Sequence, residues 1–357
     1  MVDALVLFGG PSPEHDISVH TGLQAARVLG SSEALYWTRA GEFVIVDAQL
    51  EGVAFADGVP RGAKPARIAA GGGISAKAGL REKVYDGVVV NCCHGGPGED
   101  GTLQGLLDLA GVAYTGPSQG GAALGMDKLA FGAACSLVGI PSLPRTALTD
   151  NTKPDFDGPY IVKPRFGGSS IGIDVVTDIA TAHDRLRSNP HLERGAVIEP
   201  YRPDSVDINV AVRLFPSPEL SAIEKPTRSG GDIYSYAEKY VGGGGMATAP
   251  RELPAQLPAD IEDRIRAHAL EAAQLAGVRG AARIDFLLDD GEVFLNEINT
   301  IPGSLGWYLW AESGVAFADL LNDMIAEAAA RPTARYTSAG ADGAVLRSSA
   351  SIASKLA

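Results

Sequence analysis

Short continuous hydrophobic runs mark the first third of the chain and predict buried strands. Residues 4–8 form one run, which ends in a pair of glycines, and residues 84–93 form another. Residues 20–29 follow the first run with the apolar spacing of a helix. Unbroken runs of this kind are typical of parallel strands that are covered on both faces. We therefore predict an α/β unit over about residues 1–122.

Two stretches have little hydrophobic pattern. Residues 56–78 are rich in Gly, Ala and Pro without a clear period, so we expect a loop that could include an edge strand. Residues 331–357 are rich in Ala, Ser and Gly, and we expect a poorly ordered tail there.

The middle of the chain predicts a small antiparallel unit. Residues 160–162 and 196–198 are short apolar runs on either side of the glycine-rich residues 167–172. This arrangement indicates two antiparallel strands and a tight mobile loop. We place the unit at about residues 123–200.

A third unit is predicted over about residues 201–330. It contains a helix at residues 260–276 that ends at Gly277, followed by a hairpin at residues 282–299. A last helix has one apolar stripe. The stripe consists of Val315, Phe317, Leu320, Leu321, Met324, Ile325 and Ala328.

Composition narrows the class of protein. A chain of 357 residues that is 45% hydrophobic and 20% charged can bury two or three cores. Its net charge of -13 argues against a nucleic acid or an anionic membrane as partner. The three cysteines, Cys92, Cys93 and Cys135, have neither a disulfide framework nor metal-site spacing. With no signal peptide or membrane-spanning run in the sequence, we expect a reduced, cytoplasmic protein.

The predicted hairpin at residues 282–299 carries the most informative polar residues. An Asp-Asp-Gly turn follows a strand that holds Arg283 and Asp285, and the return strand holds Glu297 and Asn299. If the hairpin closes at this turn, Asp285 lies opposite Glu297 on one face. Such hard oxygen ligands suit Mg²⁺. An ordinary solvated face with ion pairs is the alternative.

A phosphate site is indicated by two further loops. Lys163 ends a strand just before the glycine-rich residues 167–172, so a lysine and flexible N–H donors converge. Residues 300–303 form a second loop whose N–H groups can meet an anion. The chain has neither a P-loop motif nor a GxGxxG motif after a strand, so a nucleotide site would be of another design.

Two segments indicate a functional site only when they are considered together with the others. His94 follows a buried strand and precedes a helix that we expect Asp100 to cap. Alone, His94 is more often a structural histidine than a catalyst, and Glu14 is more often a solvated loop residue.

Taken together, these segments resemble the D-alanine-D-alanine ligase family over about residues 4–325, because seven motifs occur in the family's order. They are Gly9-Gly10 with Glu14-His15, His94 to Gly105, Met126-Asp127-Lys128, Lys163 with Gly168-Ser169-Ser170 and Gly172, Lys239-Tyr240, Arg283 with Asp285, and Glu297 to Gly303.

The resemblance implies a three-domain ATP-grasp fold of the α/β (α+β) class. Its N-terminal domain would contain a parallel sheet, and ATP would lie between the central and C-terminal domains. The implied activity is ATP-dependent peptide-bond formation between two small D-amino acids through an acyl phosphate, for cell-wall precursors. It also implies two Mg²⁺ ions, which Mn²⁺ could replace, and a homodimer that binds only small molecules.

The resemblance assigns roles to individual residues. The implied ATP contacts are Lys128, Lys163, Ser170, Glu199, Tyr201 and Asp207, and the implied metal ligands are Asp285, Glu297 and Asn299. The implied catalytic set is Glu14, Ser169, Tyr240, Arg283 and the N–H of Gly303, with His94, Lys239 and Tyr308 as further substrate contacts. Tyr240 would act from a closing loop that also holds Tyr234, Ser235, Tyr236 and Lys239.

Two positions depart from the family pattern. Asp207 stands where the family has Glu, which shortens the reach toward the ribose. Tyr308 stands where the family has a serine for the second D-alanine's carboxylate, with Trp307 and Trp310 beside it. These aromatic residues could reshape the acceptor pocket or could simply lie in the core after a local alignment shift.

Three functions therefore stay open. The first is D-alanine-D-alanine ligation, and the second is a paralogous ligase with another amine acceptor. The third is a catalytically silent ATP-binding regulator, against which the retained Arg283, Asp285, Glu297 and Asn299 argue.

Overall fold

A computed structural model describes residues 3–79, 81–227, 250–334 and 336–348 of the chain. Within these residues the strands form three sheets with helices packed against them. No helix in these ranges combines the length and the apolar character that crossing a membrane requires.

The first sheet has seven strands, in the order β6-β5-β4-β3-β2-β1-β7. They are β1 (Ala4–Gly9), β2 (Glu33–Trp37), β3 (Phe43–Asp47), β4 (Lys64–Ala69), β5 (Gly73–Ala78), β6 (Arg81–Tyr85) and β7 (Val88–Asn91). The helices of this region are α1 (His15–Val28), α2 (Gly96–Glu99), α3 (Thr102–Ala110) and α4 (Gln119–Met126), with a 3-10 turn at Gly52–Phe55.

The first sheet is mixed rather than parallel. Strands β2, β1 and β7 pair in parallel, whereas β2 to β6 form an antiparallel meander. The sequence pattern allowed at most an edge strand where β4 and β5 lie, and it merged β6 with β7, because β4 and β6 are largely solvent-exposed and carry no apolar run. Helix α1 also begins at His15, five positions earlier than residue 20, where its apolar spacing becomes regular.

The second sheet has four antiparallel strands in the order β10-β9-β11-β8. They are β8 (Thr146–Leu148), β9 (Tyr160–Pro164), β10 (Asp174–Val176) and β11 (Ala196–Pro200), with helices α5 (Lys128–Leu137) and α6 (Ile179–Ser188) and a 3-10 turn at Pro190–Leu192. The predicted antiparallel pairing of the two apolar runs is confirmed, since β9 pairs with β11.

The third sheet has five antiparallel strands in the order β14-β13-β12-β15-β16. They are β12 (Val206–Arg213), β13 (Glu219–Pro226), β14 (Arg251–Glu252), β15 (Ala282–Asp289) and β16 (Glu292–Asn299). Its helices are α7 (Ala259–Ala276), α8 (Trp307–Glu312), α9 (Phe317–Ala330) and α10 (Ala344–Ser348), with a 3-10 turn at Gly303–Gly306. As predicted, α7 ends at Gly277, which takes the left-handed conformation.

The C-terminal helices complete the core of the first sheet. Leu320 and Leu321 of α9 are fully buried in one cluster with Val6 and Phe8 of β1. Trp310 of α8 is fully buried in the same cluster. The apolar stripe predicted for the last helix thus lies in the core of the first sheet. Helix α9 itself begins at Phe317, after Val315.

Candidate active site

The β15–β16 hairpin closes through a tight turn with two left-handed residues. Asp290 has φ of 47° and Gly291 has φ of 77°, as a two-residue type I′ turn requires. The pairing sets Arg283 opposite Asn299 and Asp285 opposite Glu297. The sequence prediction that the two carboxylates face each other across the hairpin is therefore confirmed.

Asp285 and Glu297 are each paired with a cationic side chain. Arg283 donates to Asp285 from Nε at 2.6 Å and from Nη2 at 2.7 Å, and Asn299 donates to the same carboxylate at 3.0 Å. Lys128 Nζ lies 2.9 Å from Glu297 Oε2. Asp285 is only 8% exposed, so positive charge at this position offsets a large desolvation cost.

A cleft opens between the second and third sheets. Its apolar walls include Leu143, Ile161 and Leu287, a surface that suits a flat ring. Its polar lining includes the predicted nucleotide and metal residues Lys128, Lys163, Ser170, Glu199, Tyr201, Asp207, Arg283, Asp285 and Glu297.

Glu199 holds two cations beneath the cleft. Its carboxylate accepts from Lys163 Nζ at 2.8 Å and from Arg145 Nε at 2.6 Å, and Lys163 also donates to Asn296 Oδ1 at 3.0 Å. Complete burial acts to raise the pKa of Glu199, but Lys163 and Arg145 together hold it below the usual value. Sequence reasoning missed Arg145, which no local motif marks.

A second, smaller cavity also has Lys128 in its lining. It is lined by Glu14 and by Gly168 of residues 167–172, which we name the glycine loop. Ser169 Oγ donates to Glu14 in a short hydrogen bond, which joins two members of the implied catalytic set. Ser169 and Ser170 have φ of 53° and 59°, a left-handed backbone that is rare outside glycine.

Gly95 makes room for Glu14. Its φ is 62°, and a Cβ atom on it would lie 2.2 Å from Glu14 Oε2. Any side chain at this position would therefore push the carboxylate out of the second cavity.

Glu99 is a buried carboxylate that sequence reasoning quoted within a motif but assigned no role. It lines the second cavity with Glu14 and accepts from Gly95 N at 2.9 Å and from Ile301 N at 2.8 Å. Thr300 Oγ1 donates at 3.3 Å to Glu99 Oε1, the same oxygen that accepts from Ile301 N. Burial, with the charge of Glu14, raises the pKa of Glu99 to about 7.

His94 lies behind residues 300–305, which we name the proline loop. Its Nδ1 lies 2.7 Å from Ile301 O and its Nε2 lies 2.8 Å from Thr21 Oγ1. Burial lowers the pKa of His94 to about 4, so the ring is neutral at pH 7. Among the described residues His94 lines neither of the two cavities, in contrast to the substrate contact that the resemblance implies.

Asp100 does not occupy the cap position that the sequence suggested. The residue at the N-cap of α3 is Gly101, and Asp100 Oδ1 instead accepts from Thr102 N at 3.0 Å. The segment forms two short helices, because Gly101 takes φ of 98° between them.

Tyr308 points into a buried polar cluster. Its hydroxyl donates to Glu224 Oε2 at 3.1 Å, and Glu224 also accepts from Asn209 and Arg251. Arg251 Cζ lies 4.7 Å from the centre of the Tyr308 ring. Burial, followed by the charge of Glu224, raises the pKa of Tyr308 well above its usual value.

The neighbouring tryptophans pack in the core. Trp310 is fully buried, and the Trp307 ring stacks on Phe317 with centres 5.3 Å apart. Gly303 opens the 3-10 turn that precedes these residues. Tyr240 and Lys239, with Tyr234, Ser235 and Tyr236, lie outside the described residues.

Comparison with known proteins identifies relatives of this chain. The family models described as D-ala D-ala ligase N-terminus and D-ala D-ala ligase C-terminus match residues 3–117 and 142–326. The D-alanine--D-alanine ligase of Synechococcus sp. (strain CC9605) is 31% identical over 348 residues, which cover 90% of this chain and 96% of that protein. The ligase of the same name from Sodalis glossinidius (strain morsitans) is 32% identical, with 92% and 96% covered. The crystal structure of D-alanyl-alanine synthetase A from Vibrio cholerae has the same fold, with a TM-score of 0.77 at 22% identity over 91% of this chain and 98% of that chain.

Proposed function

The chain belongs to the D-alanine-D-alanine ligase family, and we propose that it joins two D-alanine molecules with hydrolysis of ATP to ADP and phosphate. The dipeptide would serve as a cell-wall precursor. The observation that carries this proposal is the position of Lys128, which contacts Glu297 of the hairpin and lines both cavities. Its ammonium group thus lies where a nucleotide in the first cavity would meet an amino acid in the second.

The first cavity supports ATP as the phosphoryl donor. We propose that Leu143, Ile161 and Leu287 enclose the adenine and that Asp207 binds the ribose, with Glu199 and Tyr201 near the base. Lys128, Lys163 and Ser170 would contact the phosphates. Because Lys163 is held by Glu199 and Asn296, its charge is already fixed before ATP binds.

The hairpin supports a magnesium site. Asp285, Glu297 and Asn299 offer two carboxylates and an amide oxygen, and cations already balance both carboxylates. The described residues contain no cluster of three or more His, Cys, Asp or Glu suited to a metal, so phosphate oxygens would complete the coordination of the two proposed ions. When bound, magnesium supplies charge neutralisation of the transferred phosphoryl group.

The second cavity supports binding of the first amino acid. Glu14 would accept its ammonium group, and Ser169 would hold Glu14 in place. Arg283 and the N–H of Gly303 would hold its carboxylate, one oxygen of which attacks the γ-phosphorus while ADP leaves.

The second step needs the same groups. The amine of the second D-alanine attacks the carbonyl carbon of the acyl phosphate, the C–O bond to phosphate breaks, and the amine loses a proton. Negative charge develops on the carbonyl oxygen, where Arg283 and Gly303 would stabilise it. Enclosure by the glycine loop, and by Tyr240 and Lys239 as the family resemblance implies, would protect the intermediate from water.

The contacts of Tyr308 support D-alanine as acceptor over a different amine. Its hydroxyl is bonded to Glu224, and Trp307 and Trp310 lie in the core, so neither tryptophan narrows the described cavities. A silent regulator is also disfavoured, because such a protein has no need for the charged pairs of Arg283, Asp285 and Glu297.

The decisive experiment measures phosphate release and dipeptide formation with ATP, Mg²⁺ and a panel of D- and L-amino acids. We expect D-alanine alone to support turnover, with D-alanyl-D-alanine identified by mass spectrometry. Turnover only with a mixed pair would establish the paralogous reaction, and ATP binding without turnover would establish the regulator. We further propose a cytoplasmic homodimer, for which light scattering of the purified chain tests the dimer.

A further inference from the structure

The proline loop has an unfavourable backbone that its own sequence does not explain. Ser304 and Leu305 have φ of 50° and 52° in succession. The left-handed conformation costs a non-glycine residue about 1–2 kcal/mol, so contacts from outside the loop must hold it.

Those contacts come from a set that we name the loop clamp, which consists of Thr21, His94 and Glu99. The loop clamp engages Ile301 on both sides of the residue. Glu99 accepts from the Ile301 N–H at 2.8 Å, and His94 Nδ1 lies 2.7 Å from the Ile301 carbonyl oxygen. Thr21 Oγ1 accepts from the Ser304 N–H at 3.1 Å. All three clamp residues are at most 6% exposed, so water does not compete for these bonds.

The direction of every proton in the loop clamp follows from its partners. A carbonyl oxygen only accepts, so His94 must carry its proton on Nδ1. The neutral ring then accepts at Nε2, and Thr21 donates its hydroxyl proton there over 2.8 Å. Thr21 Oγ1 is thereby free to accept from Ser304, and every bond has one donor and one acceptor.

We infer that Thr21, His94 and Glu99 are positioning residues, which hold the proline loop so that the Gly303 N–H faces the reacting carbonyl. This inference rests on the proposed function, because it assigns the purpose of the loop from the reaction. His94 then acts through Ile301 rather than on substrate.

All three residues of the loop clamp belong to the N-terminal region, which also holds Glu14 of the proposed ammonium site. Thr21 lies on α1, which begins directly after Glu14, and Glu99 ends α2. Helices α1 and α2 therefore hold both the proposed ammonium site and the proline loop in fixed positions relative to each other. A displacement of either helix would misalign the first amino acid with Gly303.

The test replaces Thr21 by Val and by Ser and measures kcat, the KM for D-alanine and the ATP dissociation constant. Thr21→Val removes the hydroxyl from both of its bonds, so we expect kcat to fall about ten- to a hundredfold with ATP binding unchanged. Thr21→Ser keeps the hydroxyl and should restore most of the activity. Thr38→Val is the matched control, since Thr38 is equally buried and also accepts a backbone N–H, from Glu42 at 3.0 Å, outside both cavities.

Several outcomes would overturn the inference. Unchanged kcat in Thr21→Val would do so, as would an equal loss in Thr38→Val. Should Thr21→Val fail to fold, nitrogen NMR of wild-type His94 decides, because a proton on Nε2 contradicts the loop clamp and a proton on Nδ1 supports it. Wild-type protein without ligase activity would instead refute the proposed function, while the His94 tautomer would still report on the geometry.

Discussion

The glycine loop and the proline loop share a rare backbone but are held in different ways. Each contains two consecutive non-glycine residues in the left-handed conformation, Ser169 with Ser170 and Ser304 with Leu305. The glycine loop is mostly half-buried and reaches the N-terminal region through the Ser169 to Glu14 bond. In the proline loop Ile301 and Leu305 are at most 2% exposed, and the loop clamp grips the backbone itself.

The difference teaches how one conformation can serve two tasks. Glycines at 167, 168 and 172 give the glycine loop other backbone states at little cost, which suits a segment that opens and closes. Burial and backbone hydrogen bonds restrict the proline loop to one conformation. This restriction suits a fixed oxyanion donor. We therefore expect a fixed side of the site, made by the hairpin and the proline loop, and an adjustable side, made by the second sheet.

The largest effect should come from breaking the charge balance of the fixed side. Glu297→Gln removes the partner of Lys128 and one proposed magnesium ligand, so we expect kcat to fall by about a thousandfold or more. The unfolding temperature should change little, because Glu297 lies at the cavity rather than in the core. Near-wild-type turnover at saturating Mg²⁺ would remove the metal assignment.

On the adjustable side, Lys163→Ala should weaken ATP binding by about ten- to a hundredfold, since a buried charge facing phosphate is lost. The KM for D-alanine should change less, because Lys163 lines only the first cavity among those described. Isothermal titration with ATP measures the effect. An unchanged ATP dissociation constant would show that the lysine serves Glu199 alone.

Glu99 gives the fixed side a pH-dependent stability. Its pKa is raised from 4.5 to about 7 in the folded protein, so the folded state binds a proton that the unfolded state has lost between these values. Its stabilising contribution is therefore full below pH 4.5 and is lost as pH rises through 7. Denaturant unfolding should show wild type losing up to about 3 kcal/mol over this window relative to Glu99→Gln. Parallel pH profiles for the two proteins would contradict the assignment.

The smallest effect, and the sharpest comparison, comes from the same substitution in both loops. Ser304→Gly and Ser170→Gly each relieve left-handed strain of about 1 kcal/mol. The loop clamp remains in Ser304→Gly, so kcat and KM should be unchanged. Ser170→Gly frees the backbone of the glycine loop and removes the proposed phosphate contact of Ser170, so the KM values should rise about two- to fivefold through the cost of ordering the loop and the lost contact. Equal behaviour of the two variants would refute the division into fixed and adjustable sides.

The sequence predicted those features that short stretches determine. A two-residue turn alone would place Asp285 opposite Asn296, and a β-bulge there, which the sequence did not predict, shifts the pairing to Glu297. Turn chemistry at Asp290 and Gly291 was nevertheless enough to predict the hairpin itself. The Gly277 cap and the stripe of α9 were similarly local. At most one edge strand was expected where β4 and β5 lie, because β4 is largely exposed and carries no apolar alternation that distinguishes it from a loop.

Contacts between distant segments could not be predicted in this way. His94 and Ile301 are 207 positions apart, and nothing near His94 indicates that its partner is a backbone carbonyl. The pairing of Glu199 with Arg145 depends on strand order in the second sheet. Tyr308 could be located in the sequence relative to Gly303, but the orientation of its hydroxyl toward Glu224 depends on where β13 lies.

The burial of α9 in the core of the first sheet has a consequence for synthesis of the protein. The first sheet is translated early, but the cluster around Val6 and Phe8 stays open until Leu320 and Leu321 emerge from the ribosome. Apolar side chains of the nascent chain are thus unprotected through most of translation, when aggregation and chaperone capture compete with folding. Completion of the N-terminal core is therefore one of the last events in making this enzyme, and chain termination before α9 should yield an insoluble fragment rather than a folded first domain.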